Sequence, residues 1–497
     1  MRALLVYPEY PETFWNFKHA LKFIARKATY PPLGLLTIAT LLPKAWEQQL
    51  IDMNVTPLRD EDLRGADLVL LSAMSIQRPA ARAVIDRCKA LGVTVVAGGP
   101  LFTANPEAFA DVDHLVLNEA EVTLPDFLRD FADGRAQRRY TTDQLADLTT
   151  SPVPRWELIN MRHYVGMNMQ LSRGCPFDCE FCDITALFGR TPRLKGAAQV
   201  IAELDRLYAL GWRGNVFVVD DNFIGNKKTV KREILPAMCD WMARHKRPFN
   251  FNAQVSINLA DDAELMELME RAGFTVVFVG IESPNEDSLL ECNKIPNKQR
   301  DLMSGVKEIQ RHGLQVQAGF IVGFDHDPVS IFDRLIRFIQ ESGIVTAMVG
   351  LLNAPHGTRL YQRLETEGRL LHDMTGDNTD YSQNFVPTMN PEVLQRGYRS
   401  VVESIYAPNF FYQRLKRFLK DFHPARGGTQ RVTFRHLIAA VKMTVVLGML
   451  EKERSYYWRL LFWSLFRRPR LLPLAMALSA YGFHFRKCFE SHLSAGR

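Results

Sequence analysis

A chain of 497 residues exceeds what one hydrophobic core usually holds, so two or three domains are expected. With 47% apolar and 23% charged residues, the composition is that of a globular protein and excludes wholesale disorder. The net charge of +6 hides an asymmetry: residues 411–497 hold 17 Lys and Arg against 4 Asp and Glu, a net of +13, which leaves the first 410 residues at about −7. Seven cysteines in so long a chain do not form a disulfide framework. Three of them, Cys175, Cys179 and Cys182, crowd into eight residues, while Cys88, Cys239, Cys292 and Cys488 lie scattered. That pattern fits a reducing cytoplasm and one metal site. The N-terminus, MRALLVYPEY, lacks a long apolar run with a cleavage site and reads as a first buried strand, not a signal peptide.

Taken in chain order, residues 1–145 alternate short β-rich runs with helical stretches. The runs are 3–8 (ALLVYP), 67–74 (DLVLLSAM), 93–99 (VTVVAGG) and 114–118 (HLVLN). Such alternation predicts a parallel sheet covered on both faces, Rossmann-like, with ligands at the carboxyl ends of its strands. Residues 146–164, with Pro152 and Pro154, read as a linker. From 165 to 375 six longer strand–helix periods follow, with strands expected at 167–172, 215–220, 249–255, 275–282, 315–323 and 346–352. Six βα units in order predict a partial (β/α)6 barrel whose site lies at the C-terminal strand ends. Beyond about 376 the β signal gives way to a mostly helical domain, 376–497. Neither of its apolar stretches is an uninterrupted run of about 20 residues, so no spanning helix is expected.

The cysteine loop follows the first barrel strand. Three thiolates suit a [4Fe–4S] cluster, which normally takes four ligands and keeps one iron open when the protein supplies three. A zinc knot is the competing reading, but structural zinc draws on paired CxxC-type elements and no second pair is present. The segment LSRGCPFDCEFCDI resembles the signature of the radical S-adenosylmethionine (SAM) superfamily. The resemblance implies cluster ligation by Cys175, Cys179 and Cys182 and an aromatic, Phe181, beside the adenine. It further implies SAM contacts from Asp220 and Asp221 (VVDDNF), Gln254 and Ser256 (NAQVS), Glu282 (VGIES), and Val322 and Gly323 (AGFIVGF).

The N-terminal pieces YPPLGLL, LSAMSIQ, AGGPLFTANPE and LNEAEVTLPDFL resemble the cobalamin-binding domain of one branch of that superfamily. The resemblance implies cobalamin contacts from Ser72, Ser75, Gln77, Gly98, Gly99 and Glu119. Asn118 replaces the first Gly of a Gly-Glu-x-Glu element. The DxHxxG motif is absent, so no histidine is expected on cobalt. A degenerate flavodoxin-like domain that binds nothing is the competing reading. GRTPRLK, ECNKIPNKQ, LLNAPHGTRLY and the tail RRPRLLPLAMALSAYGFHFRKC are similar to the branch that carries a C-terminal domain of unknown function, which includes the hopanoid C-2 methylases.

These resemblances imply a cobalamin-dependent radical SAM methyltransferase. It uses a [4Fe–4S] cluster, SAM and methylcobalamin, methylates an unactivated carbon of a hydrophobic, isoprenoid-like substrate, and takes its electron from a flavodoxin or ferredoxin. An oxidative cyclase or rearrangement enzyme with the same cofactors is the alternative; methylthio transfer and a cobalamin sensor with an inert loop are disfavoured. Residues 411–497 carry fifteen Phe, Tyr and Trp, with Trp458, Phe462, Trp463 and Phe466 at near-helical spacing beside an Arg cluster. That pattern suits either peripheral contact with the inner face of a membrane or a helical cap whose aromatics fill core. Nucleic acid is not an expected partner, because no recognised binding module accompanies the basic residues.

Overall fold

The computed structural model describes residues 1–424 and 434–495. Two parallel sheets carry the fold. The first holds β1 (Arg2–Tyr7), β2 (Glu47–Asp52), β3 (Leu68–Ser72), β4 (Val95–Gly98), β5 (His114–Val116) and β6 (Arg139–Tyr140), in the order β2-β1-β3-β4-β5-β6. Leu4, Val6, Val69 and Leu71 pack toward one layer of helices, while Ala3, Leu5, Leu68 and Leu70 pack toward the other, so the central strands are apolar on both faces. The strand at 47–52 was not expected from the sequence. Its residues EQQLID alternate between exposed and half-buried up to the last two, the pattern of an edge strand that keeps one side in water.

The second sheet holds β7 (Gly166–Met169), β10 (Gly214–Val218), β11 (Phe249–Val255), β12 (Phe274–Glu282), β13 (Gln315–Val322) and β14 (Ala347–Leu351), in the order β14-β13-β12-β11-β10-β7, every pair parallel. All six expected barrel strands are present. The molecule is therefore α/β, with a Rossmann-like sheet, a partial barrel and a helical C-terminal region, as the sequence predicts. Between β7 and β10 a short antiparallel ribbon, β8 (Ser172–Arg173) with β9 (Arg193–Leu194), brackets the cysteine loop.

Register fixes what the barrel presents inward. Val216, Ala253, Val277, Ala318 and Val349 are at most 1% exposed and pack on the outer helices. The alternate row, Phe217, Asn252, Phe278, Gly319 and Met348, lies on the concave face. Tyr30, between the helices Lys18–Ile24 and Leu33–Leu41 of the β1–β2 crossover, reaches this face, its hydroxyl accepting from Asn215 Nδ2 at 3.0 Å and its ring 5.3 Å from that of Phe217.

β14 is an edge, and the helical region closes it. In the helix Pro391–Tyr406, Tyr398 Oη donates to Val349 O at 3.0 Å and Tyr406 Oη donates to Ala347 O at 2.6 Å. Helices Pro408–Asp421, Phe434–Val445, Arg454–Arg467 and Leu472–Ala495 complete the region. Among the described residues no helix is long and apolar enough to cross a membrane. The tail aromatics divide. Phe411, Tyr412, Phe418, Tyr457, Phe485 and Phe489 are buried core, whereas Phe462 is 51% and Phe466 78% exposed.

Candidate active site

The cysteine loop leaves β8 through Gly174, where φ is +91°. A Cβ there would lie 2.9–3.1 Å from the carbonyl oxygens of Thr191, Gly189 and Phe188, so only glycine brings the chain round to Cys175. Cys179 is buried, and Cys175 and Cys182 are half-buried. Burial pushes all three thiols up, yet backbone N–H groups of Phe177 and Ile184 aim at Cys175 and Cys182, and Lys294 sits near enough to favour all three thiolates. Thiols that burial keeps protonated, ringed by N–H donors and one cation, fit a metal cluster, whose charge deprotonates its ligands outright.

The predicted SAM residues have differing tasks in the structure. Asp220 is fully buried, accepting from Leu171 N at 2.7 Å and Ser172 Oγ at 2.6 Å. It braces the strand that enters the cysteine loop and does not face the barrel mouth. Asp221 is half-buried and accepts from Gly174 N at 3.0 Å. Burial outweighs the opposing hydrogen bonds and pushes both carboxyls up to about 6. Ser256 Oγ donates to Asn258 Oδ1 at 2.7 Å and accepts from Asn222 Nδ2 at 3.2 Å. Gln254 shares the concave row with Asn252 on β11, and its carbonyl accepts from Phe223 N at 2.9 Å. Val322 turns its side chain into the buried core. Gly323, with φ +103°, donates its N–H to Asp327 Oδ2 at 2.8 Å.

Glu282 ends β12 with a left-handed φ of +62° and accepts from Lys294 Nζ at 2.6 Å, the two side chains being 9% and 15% exposed. Lys294 Nζ lies 6.0 Å from the Phe181 ring centre, whose neighbour is Phe324 at 6.2 Å. Sequence reasoning did not single out Lys294 or Asn222, which has Nδ2 4.0 Å from Cys175 Sγ. It also missed how the loop is braced: Glu180 N donates to Cys292 O at 2.9 Å, and Asp178 O accepts from Asn293 Nδ2 at 3.1 Å and from Arg359 Nη2 at 2.7 Å. The segment ECNKIPNKQ stood out in the sequence, but only as a subfamily marker.

The predicted cobalamin residues cluster at the carboxyl edge of the first sheet, and four of them serve the protein itself. Gln77 is fully buried, donating to Pro8 O at 2.5 Å and accepting from Met74 N at 2.8 Å, which joins the loops after β1 and β3. Gly98 and Gly99 leave room for protein, since added Cβ atoms would lie 2.5 Å from Val116 O and 2.5 Å from Ser72 Oγ. Glu119 is 3% exposed; Arg193 donates to its two oxygens at 2.6 and 2.7 Å and Ala146 N at 2.5 Å. It therefore ties the first sheet to β9. Ser75, by contrast, lines a cleft of about 50 Å³ with Leu101, Asn105, Asp183, His356 and Met374. Asp183 directly follows Cys182, so this cleft joins the edge of the first sheet to the cysteine loop.

Family models match along the chain: a B12 binding domain at residues 23–128, the radical SAM superfamily at 169–339, and a domain of unknown function, DUF4070, at 358–495. A hopanoid C-2 methylase of Rhodopseudomonas palustris is 34% identical over 92% of this chain and 86% of its own. This chain belongs to the cobalamin-dependent radical SAM methyltransferases. An uncharacterized methyltransferase of Synechocystis sp. is 39% identical over 98% of this chain and 91% of its own. The cobalamin-dependent radical SAM enzyme OxsB, solved with aqua-cobalamin bound, superposes with a TM-score of 0.64 at 14% identity, covering 99% of this chain and 80% of that one, a likeness of fold. The methyltransferase accordingly uses a [4Fe–4S] cluster, SAM and cobalamin.

Proposed function

We propose that this methyltransferase methylates an unactivated carbon of a hydrophobic, isoprenoid-like substrate held on the concave face of the barrel. In this reading residues 1–145 hold cobalamin and 165–375 hold the cluster and SAM. The observation that carries it is the lining of that face. Trp15 packs edge-on to Phe278 at 5.5 Å and donates Nε1–H to Met348 Sδ at 3.0 Å, while Phe217 and Tyr30 stand across from them. Aromatic rings with few charges suit a greasy ligand.

When bound, the cluster supplies the electron that cleaves SAM to a 5′-deoxyadenosyl radical, and cobalamin supplies the methyl group. The chain's residues position these groups. Cys175, Cys179 and Cys182 hold the cluster, Asn222 and Lys294 surround it with donors, and Asp221 with Ser256 and Glu282 stand where the amino and ribose groups of SAM need acceptors. Ser75 and Asn105 face the cleft that leads to cobalamin. A volume of about 50 Å³ holds little more than one water. The segment 373–384, tied by Asp373 to Arg78 at 2.8 Å and Asn105 at 3.1 Å, therefore opens to admit a corrin. A flavodoxin or ferredoxin serves as the electron donor.

The substrate reading also accounts for the exposed apolar face of the C-terminal region. Leu437, Val441, Met449, Leu450, Phe462 and Phe466 are 51–78% exposed, and Arg454, Arg459, Arg467 and Arg470 are exposed beside them. Such a face fits the interface of an anionic bilayer, from which a lipid substrate is drawn. The test is anaerobic turnover with methyl-labelled SAM, a reductant and isoprenoid lipids, read by mass spectrometry. A labelled product supports the proposal, and a product that loses hydrogen without gaining label establishes oxidative cyclisation instead. For the surface, Leu450→Glu with Phe466→Glu is expected to abolish pelleting with anionic liposomes; unchanged pelleting would reject membrane docking.

A further inference from the structure

Far from the cysteine loop, the two ends of the chain meet around a second cluster of metal-binding side chains. His19 opens the helix Lys18–Ile24, and His484 and Cys488 lie one turn apart on the helix Leu472–Ala495. One ligand atom from each lies within 4.8 Å of the other two, and both His484 and Cys488 are at most 1% exposed. We propose that His19, His484 and Cys488 form a structural zinc site that bolts the segment 12–19 to the C-terminal helix.

Three features of the geometry carry this. His484 Nε2 lies 3.0 Å from Phe14 O, so that nitrogen carries the proton and donates, leaving Nδ1 its lone pair, and Cys488 Sγ lies 3.5 Å from both ring nitrogens. A tetrahedral zinc with bonds of about 2.3 Å to sulfur and 2.0 Å to nitrogen separates those two ligands by about 3.5 Å, which matches the Sγ–Nδ1 distance, and a turn of the Cys488 side chain brings its sulfur into line with Nδ1. The His19 imidazole is held from behind in the same way, with Nε2 2.6 Å from Glu12 Oε1. A carboxylate or carbonyl behind each metal-bound imidazole is the usual arrangement that orients it and raises its basicity. Finally, a histidine and a cysteine four residues apart on one helix present both donors to one side.

Zinc binding displaces the Cys488 thiol proton to solvent, forms the S–Zn bond, and leaves one coordination position for water. What it fixes is clear from the neighbours. Phe14 stacks on Phe485 with ring centres 4.0 Å apart, and Trp15, the next residue, reaches Phe278 and Met348 on the concave face. The site therefore sets the position of a ring in the substrate chamber from outside it.

The test uses the full-length, cluster-reconstituted enzyme grown with added zinc and passed over a mild chelator. About one zinc per chain is expected beside the cluster iron, and the zinc X-ray absorption edge should show a single sulfur at about 2.3 Å with nitrogen and oxygen neighbours. Three sulfurs would place the zinc in the cysteine loop and overturn the proposal, as would its absence. His19→Gln and His484→Gln are expected to lose the zinc while keeping the iron. Because a buried substitution can unfold the chain, zinc-dependent thermal stabilisation of the wild type is measured as well. It is expected in the wild type and should vanish in the part-exposed His19→Gln variant; equal stabilisation of both rejects the site.

Discussion

Replacing Glu119 with Ala tests whether the joint between the first sheet and the β8–β9 ribbon is held by a buried ion pair. Glu119 is 1% exposed in its side chain, and its partners Arg193 and Arg173 are 17% and 12% exposed. Removing one member of such a pair costs about 3–5 kcal/mol, because the opposite charge stays behind without its partner. Arg193 keeps Ala146 O at 2.6 Å and Phe188 O at 3.1 Å, and Arg173 keeps Glu121 at 2.7 Å, which places the loss at the low end. The Ala146 N–H, left without its acceptor, adds about 1 kcal/mol. The expected total is about 4 kcal/mol of local opening free energy, read as faster hydrogen exchange across residues 139–150 and 188–195. The double variant Glu119→Leu with Arg193→Met should recover much of the protection, since apolar residues of similar size replace buried pairs at little cost. A loss under about 1 kcal/mol in Glu119→Ala would refute the idea that this pair holds the joint.

Four further outcomes follow from the site. Cys179→Ala is expected to purify with less iron and to form no 5′-deoxyadenosine under reducing conditions; full production would remove the cluster from the loop. Lys294→Met strands the 9%-exposed Glu282 carboxylate and is expected to lower 5′-deoxyadenosine formation about 100-fold with iron retained, by analogy with other broken buried pairs. Burial pushes the Asp327 carboxyl up from an ordinary 3.8 to about 6, so the folded chain holds that proton more tightly than the unfolded chain. Its contribution therefore falls as pH rises from about 4 to about 6, and Asp327→Asn should flatten that part of the stability profile; an unchanged slope would assign it to other groups. Asp373→Ala is expected to speed cobalamin uptake several-fold, and equal rates in variant and wild type would show that the segment 373–384 does not control access.

Much of this was legible in the residues because it was written in short-range pattern. The six barrel strands are continuous β-rich runs, and CxxxCxxC places three thiols in one loop whatever surrounds it. What was missed depends on contacts that spacing does not encode. The edge strand Glu47–Asp52 is polar because one side meets water, so it lacks the apolar run that marks its neighbours. Asp220 and Asp221 read as two equivalent acceptors at a strand end, but alternation turns one inward to Leu171 and Ser172 and the other to Gly174. Glu119 matched a family motif, and only the tertiary structure shows Arg193, 74 residues away, closing over it. Lys294 lies 12 residues past its partner Glu282, beyond a turn and a helix, and nothing local to either marks the pair.

The two sides of the cleft are held by ion pairs of very different strength, and that difference decides which side opens. On one side Glu119 and Arg193 are buried, and separating them exposes charge to a dry interior. On the other, Arg78 and Asp373 are 34% and 44% exposed, and a pair so solvated contributes about 0–1 kcal/mol. The solvated pair therefore gives way more readily than the buried one, while Asn384, fully buried and bonded to Ala354 N and Ala354 O at 2.8 Å, anchors the far end of the segment 373–384. The cysteine loop moves with that buried side, since Gly174 is held by Asp221 and Arg173 by Glu121. In the cobalamin site proposed above, cofactor entry would disturb the solvated Arg78–Asp373 contact while the buried Glu119–Arg193 pair holds the edge of the first sheet to β9.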